Sequence, residues 1–453
     1  MHGYLSEQEF LREIGRFLGW YYLSVAALNG VVAFALVRRR RTETDVARGT
    51  GVVSLLCFLS AVIFAGLAAC VFSGHAGALS LPQTVRDAVN RHTSPLAVGV
   101  GSFAVMALLF RWRRFFVRPA VAWSLLNLAL LLVGLSLTDA NFAKIVSRPD
   151  NVAIVAMMFL LAFFTWLGTA KAVENDERLA RDEPPLEKLD HDKVLVWPDL
   201  VYIELICMVV LTAVLIFWAI GITAPLEEPA SSVRTPNPSK APWYFVGLQE
   251  MLYYYDPWMA GVVLPGLIIV GLMAIPYLDR NPRGNGYYTI RERKFAYLTF
   301  QFGFLLLWIL LILIGTFLRG PNWNFFGVYE PWDIHKVTAQ NNVSFSQFFW
   351  IDLLGRGLPQ PGAGAGASGR LGAILLRELP GLLLLAAYFL LLPWGVTRRV
   401  RFFAGLRQQM GRARYAAMMA MLLVMLLLPI KMLARWTGDL QYFVAIPEYF
   451  LNF

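Results

Sequence analysis

The chain has 453 residues, 57% of them hydrophobic and only 15% charged, with a mean hydropathy of +0.55. Soluble globular chains carry about a quarter charged residues, so these values exclude that class and predict an all-α integral membrane protein. The formal net charge of +10 does not imply nucleic acid, because the basic residues stand in short clusters beside apolar runs, as membrane topology requires.

Near the N-terminus, Glu7, Glu9 and Arg12 replace the basic and apolar regions of a cleavable signal peptide, so none is expected. A crossing takes roughly 20 apolar residues. About ten runs qualify: 14–37, 51–73, 95–110, 119–138, 151–171, 200–222, 258–278, 296–318, 376–396 and 416–434, the third being the shortest. Basic clusters follow alternate runs. They are Arg38–Arg41; Arg111, Arg113, Arg114 and Arg118; Lys171, Arg178 and Arg181; Arg280, Arg283, Arg291, Arg293 and Lys294; and Arg398, Arg399, Arg401, Arg407, Arg412 and Arg414. Basic loops stay in the cytoplasm. The pattern therefore predicts both termini, and the loop 235–258, on the outer face of the membrane.

Four regions follow. Residues 1–171 form a five-span membrane domain with no evident role, and 172–199 a charged cytoplasmic linker containing Pro184-Pro185. Residues 200–335 form a compact second membrane domain, and 336–453 an outer loop plus two further spans. Within that outer loop the segment PGAGAGASG (361–369) reads as flexible. SFSQFFWIDLLGRGL reads as an amphipathic surface helix.

The stretch TPNPSKAPWYFVGLQEMLYYYDPW (235–258) differs from the lipid-facing runs around it. Pro236, Pro238 and Pro242 hold it extended. From Trp243 onward a helical reading puts Trp243, Val246, Glu250 and Tyr254 near one face, so a short surface helix is expected. Such a rigid, aromatic, sparsely charged turn suits a flat apolar ligand with polar ends, such as a quinol. Read on chemistry alone it suits a plain interfacial aromatic anchor better still, since such anchors are common in membrane proteins. Glu250 and Asp256 are the nearest acids to Trp243 and Tyr244, and either could accept a proton from a hydroquinone held within hydrogen-bond reach. Glu204 lies one turn inside the sixth run, where it suits an inner-side quinone, a partner or a headgroup contact.

Other chemistry is missing. A bis-histidine haem needs histidines facing each other across a helix bundle. His2, His75, His92, His191 and His335 all fall in termini or loops. Cys57, Cys70 and Cys207 lie in apolar runs without a CxxC pair and read as small hydrophobes. There is no metal-ligand cluster, Walker loop or nucleophile elbow. No metal or redox cofactor is therefore expected on this chain alone. The two halves lack the matching charged or broken helices of a transporter, which leaves that reading weakest.

Residues 196–332 resemble the C-terminal part of cytochrome b, the piece that stands alone as subunit IV in cytochrome b6f-type complexes. The resemblance is carried by VWPDLVYIEL (196–205), APLEEPA (224–230), TPNPSKAPWYF (235–245), GLQEMLYYYDPWMAGVVLPGLIIVGLMAIPYLDRNP (247–282) and LRGPNWNFF (318–326). The stretch resembles in particular the subunit IV-like chains of bacterial menaquinol:cytochrome c reductases. The first 170 residues resemble nothing comparable.

The resemblance implies a subunit of a quinol:cytochrome c oxidoreductase that forms part of the outer quinol-oxidation site. It implies a haem b-binding cytochrome b partner, a 2Fe-2S Rieske protein, a cytochrome c subunit and a dimeric complex. Pro242 would fix the turn, Trp243 and Tyr244 would shape the quinol pocket, and Phe245 and Tyr253 would add to its wall. The family motif Pro-Glu-Trp-Tyr becomes Ala241-Pro242-Trp243-Tyr244 here, so the motif's glutamate is absent. Glu250 or Asp256 would then handle protons, and Glu250→Gln is expected to slow quinol oxidation without disturbing assembly. The alternative is a structural subunit that keeps the fold while another chain oxidises quinol.

Overall fold

A computed structural model describes residues 6–42, 47–189, 193–221, 229–233, 235, 237, 239–279, 286–339, 341–362 and 364–453; the side chains of 7, 40–42 and 47–50 are not described. His2, His191, Pro236 and Pro238, singled out above, lie outside these residues, as do the basic Arg280 and Arg283.

The protein is all-α and crosses the membrane many times. Among the described residues nine helices are long and apolar enough to span: Gln8–Arg39, Gly51–Phe72, Pro119–Ser136, Pro149–Ala180, Val196–Gly221, Met259–Leu278, Lys294–Leu318, Ala367–Arg399 and Arg412–Gly438. A tenth crossing is possible at a bent pair, Ala76–His92 and Pro95–Arg111, which meet at 88°. This is the third and shortest run of the sequence reading. The helix Gln83–His92 carries Arg86, Asp87 and Arg91 and buries no residue, so lipid cannot accept it lengthwise. The following 17-residue helix Pro95–Arg111 is apolar and rises about 25 Å.

Helix ends follow local chemistry. Pro119 and Pro149 open their helices at positions that need no amide donor. Asp139 caps Ala140–Val146 by accepting from the Asn141 and Phe142 amides, each at 3.0 Å. Ser344 and Gln347 form a capping box at the start of the expected surface helix, which runs over 345–353. The glycine-rich segment before Ala367 ends by entering the helix Ala367–Ala386. Among the described residues, extended pairing is confined to two small two-stranded sheets, Val343–Ser344 with Leu440–Tyr442 and Ala445–Ile446 with Leu451–Asn452, and a single bridge between Arg319 and Phe325.

The chain forms two compact units. The first comprises Met1–Ala88, Ala107–Pro236 and Gly286–Tyr297. Its main core packs Leu18, Tyr22 and Val25 against Phe64, Ala68 and Leu137. A polar clamp ties two of its helices: Asn29 donates to the Asn127 side-chain oxygen at 2.7 Å, and the Trp123 indole donates to Asn29 at 2.8 Å. Polar side chains of this kind hold helices together where water cannot compete. At another point of this unit, Asp176 accepts from the Thr289 hydroxyl at 2.6 Å and the Arg291 amide at 3.0 Å.

The second unit comprises Val89–Met106, Asn237–Asn285 and Leu298–Phe453. Its core joins Met251, Tyr254, Tyr255 and Met259 to Leu307, Leu311 and Ile314 of one span and Leu428 and Met432 of another. The aromatic loop thus belongs to the core of this unit.

Candidate functional site

The loop is folded by its own polar groups. The Pro242 carbonyl accepts from the amides of Phe245 at 2.8 Å and Val246 at 3.0 Å, so the proline closes the extended approach with a turn. Gln249 then pins that turn: its side-chain oxygen accepts from the Ala241 amide at 2.7 Å, and its amide group donates to the Ser239 carbonyl at 2.9 Å. Lys240 donates to the Thr316 carbonyl at 2.6 Å and lies 4.2 Å above the Trp332 ring. The Lys240 bond ties the start of the turn to the last residues of Lys294–Leu318.

The helix begins at Val246 and runs to Met251, later than the Trp243 start read from periodicity, because residues 243–245 are used by the turn. Val246, Glu250 and Tyr254 are buried, whereas Trp243, expected on the same face, is half-buried in the turn and Tyr254 lies past the helix end. The helix meets the span at Gly315, where a Cβ would stand 3.1 Å from the Val246 carbonyl oxygen. A bare glycine lets the short helix lie directly on the span's backbone.

The aromatic corner stays open. Tyr244 and Phe245 are each 53% exposed, Pro242 is exposed and Trp243 is half-buried. The rings of Trp243 and Tyr244 meet edge-on at 5.6 Å, and those of Tyr244 and Phe245 are tilted at 4.9 Å. The corner therefore offers ring faces and edges from a backbone that its hydrogen bonds hold still.

Behind it lies a buried ion pair. Glu250 is fully buried and accepts from Arg319, at 3.1 Å from Nη2 and 3.3 Å from Nε. The Tyr254 hydroxyl donates to the same carboxylate at 3.3 Å, and Arg319 Nη1 donates to the Trp323 carbonyl at 3.0 Å. Burial pushes the Glu250 carboxyl above its usual range, against the opposing pull of Arg319. Burial also raises the Tyr254 phenol, with the Glu250 charge adding to the effect. For Arg319, burial acts to lower the guanidinium's pKa, but the Glu250 charge and its neighbours more than offset it. The half-buried Tyr253 ring is stacked between two guanidiniums, Arg319 at 4.0 Å and Arg435 at 4.9 Å.

The expected residues thus separate into four groups. Pro242, Trp243, Tyr244 and Phe245 form the open corner. Glu250 and Tyr253 form the guanidinium-bound layer beneath it. Asp256 is half-buried beside them in sequence, accepting from the Asn452 amide group at 2.8 Å. Glu204 belongs to the other unit, exposed in the first turn of Val201–Gly221. His75, His92 and His335 lie at a helix cap, a helix end and a loop, and the described residues contain no group of three or more His, Cys, Asp or Glu able to hold a metal.

Sequence reasoning missed Arg319 and Arg435. Arg319 does carry a signal. It is a basic residue directly after an apolar run, on the side that the charge rule assigns to acid-tolerant, lysine-poor loops. Such an exception implies an internal partner, which proves to be Glu250.

Residues 229–328 match the family Cytochrome b(C-terminal)/b6/petD, and the remainder of the chain is unmatched. The matched segment contains the corner, the short helix, the spans Met259–Leu278 and Lys294–Leu318, and Arg319. These residues form a cytochrome b C-terminal, subunit IV-like domain. Lys431 and Arg435 lie beyond it. No solved structure matches the chain.

Proposed function

We propose that this protein is a membrane subunit of a quinol:cytochrome c oxidoreductase and that its outer loop forms one wall of the quinol-oxidation site. The observation that carries this reading is the open Trp243–Tyr244–Phe245 corner, mounted on a hydrogen-bonded turn inside a domain of the cytochrome b C-terminal family. A menaquinol ring would lie against these aromatic side chains, with Pro242 setting their angle. Electrons would pass to a Rieske 2Fe-2S centre and to haem b in partner subunits, while this chain would bind and orient the quinol and move protons.

Proton handling falls better to Asp256 than to Glu250. Asp256 is partly open to solvent, whereas the Glu250 oxygens are already engaged by Arg319 and Tyr254. Glu250 with Arg319 would position Tyr253 and keep the floor of the site rigid. The structural-subunit reading keeps one specific support: Pro242 stands where the family motif has its glutamate.

A quinol-analogue inhibitor separates the two. Binding to the intact complex should weaken about 10- to 100-fold in Trp243→Ala or Tyr244→Ala, the scale of losing one buried aromatic anchor. An analogue that binds equally well to both variants would leave the structural reading.

A further inference from the structure

Between Glu378 and Asp439 the chain carries eight basic residues and no acid. Lys431 and Arg435 are buried in the last span. The other six, Arg398, Arg399, Arg401, Arg407, Arg412 and Arg414, are exposed at one end of the second unit, where Ala367–Arg399 hands over to Arg412–Gly438. Among the described residues, none of these six guanidiniums has an ion pair or a hydrogen bond. The basic clusters of the first unit differ: Arg114 lies 3.8 Å from Glu177, and Arg178 and Arg181 meet Glu183 at 3.6 Å and 3.0 Å. Membrane topology asks only for charge. Six guanidiniums with no acid beside them also call for an anion from outside the chain.

The end of the unit that carries them is held firmly. The Thr397 and Tyr415 hydroxyls share a hydrogen bond of 2.6 Å, which fastens the two spans together, and the Tyr388 hydroxyl donates to the Leu423 carbonyl at 2.7 Å further along the same pair. The connecting helix Arg401–Met410 turns Phe403, Leu406 and Met410 onto a core of Tyr415, Met419 and Leu423, which leaves Arg401 and Arg407 outside.

Trp394 sets the depth of this cluster. Leu391, Trp394 and Arg398 share one helix face by their spacing, and the first two are 65% and 56% exposed, the kind of surface that a span turns to lipid. The Arg398 guanidinium lies 4.1 Å over the Trp394 ring, so it folds back toward that apolar surface instead of reaching into water. Val400 and Phe402, also exposed, continue the apolar rim beyond it. Tryptophan at the end of a span marks the headgroup level of a bilayer. A guanidinium at that level meets phosphate, which its planar fork holds through two hydrogen bonds. An acidic protein would satisfy the charge and leave the apolar rim uncovered; a lipid satisfies both.

We propose that this end of the second unit binds the phosphodiester headgroup of an anionic phospholipid, with Arg398 as the first contact and Arg399, Arg401, Arg412 and Arg414 as the surrounding charge. Nothing in this site depends on the quinol reading.

The full chain, purified in neutral detergent, is titrated with phosphatidylglycerol carrying a fluorescent acyl chain and with phosphatidylcholine carrying the same chain, and binding is read by anisotropy. Phosphatidylglycerol should bind more tightly. The double variant Arg398→Gln, Arg399→Gln should weaken it about 25-fold, at about fivefold for each charge removed near a headgroup surface, and leave phosphatidylcholine unchanged. Millimolar inorganic phosphate should not displace the lipid. Equal binding of the two lipids overturns the proposal and leaves the arginines to an acidic protein. Displacement by inorganic phosphate overturns it in favour of a free anion, and wild-type affinity in the glutamine variant overturns it outright. Removing basic residues can redirect insertion, so a second variant, Arg398→Lys with Arg399→Lys, keeps the charge. Lysine cannot form the paired hydrogen bonds, and phosphatidylglycerol should still bind several-fold more weakly. Wild-type affinity in the lysine variant overturns the site and leaves only a diffuse attraction of charge.

Discussion

At the scale of single residues, the decisive pair is Glu250 with Arg319. Both side chains are almost wholly removed from solvent, at 0% and 5% exposure, so each is the other's compensating charge, with Tyr254 and the Trp323 carbonyl adding hydrogen bonds. The substitution Glu250→Gln keeps the shape but strands the guanidinium. It should cost about 3–5 kcal/mol of stability, the usual penalty for breaking a buried pair from one side. Slower quinol oxidation in that variant would therefore not identify Glu250 as the proton acceptor unless the folded fraction were measured too. Its pH dependence has a definite sign. Because burial raises the folded carboxyl above its unfolded value of about 4.3, the folded protein holds the extra proton in that window. Stability from this group is present in full at lower pH and declines as pH rises through the raised value. Thermal midpoints measured from pH 4 upward should show that decline in wild type and not in Glu250→Gln.

At the scale of elements, two close approaches hold the second unit together. One is the short helix on Gly315. The other is Gly381, in the span Ala367–Arg399, where a Cβ would fall 1.9 Å from the Phe443 carbonyl oxygen, a backbone atom. Gly381→Ala must push the segment carrying Phe443 and Val444 off the span. It should destabilise the protein by about 1–3 kcal/mol, the scale of overpacking, and raise proteolysis of the C-terminal strands. The spans themselves were legible in sequence, because lipid admits only long apolar helices and charge alternates across it. So was the helix at 345–353, through its amphipathic pattern. The composition of the aromatic corner was legible for the same reason: prolines and aromatic residues mark a turn by themselves. The layer beneath it was not. Arg319 lies 69 positions from Glu250 and Arg435 far beyond Tyr253, and nothing in local periodicity connects residues that only tertiary packing brings together. Lys431 was hidden differently, inside a run whose apolar character masked a single charge.

At the scale of the whole molecule, the proposed orientation turns on the bent pair. If Pro95–Arg111 crosses the membrane, there are ten crossings and the polar helix Gln83–His92 lies on the outer face with the loop 229–233; if it re-enters, that helix lies on the inner face. Impermeant maleimide labelling in intact cells separates these outcomes. The protein's Cys57, Cys70 and Cys207 are free thiols and are first replaced. Val233→Cys, at a position 94% exposed, should label from outside, whereas Gln408→Cys on the helix Arg401–Met410 should label only after permeabilisation. Three spans separate these two sites whichever way the pair is arranged, so their contrast reports the orientation alone. Gln83→Cys then reports the pair. It should label together with Val233→Cys, since a polar helix at a right angle to a short apolar one is how a surface segment feeds a crossing. Labelling of Gln83→Cys together with Gln408→Cys instead would make Pro95–Arg111 re-entrant, leave nine crossings and put the two termini on opposite faces.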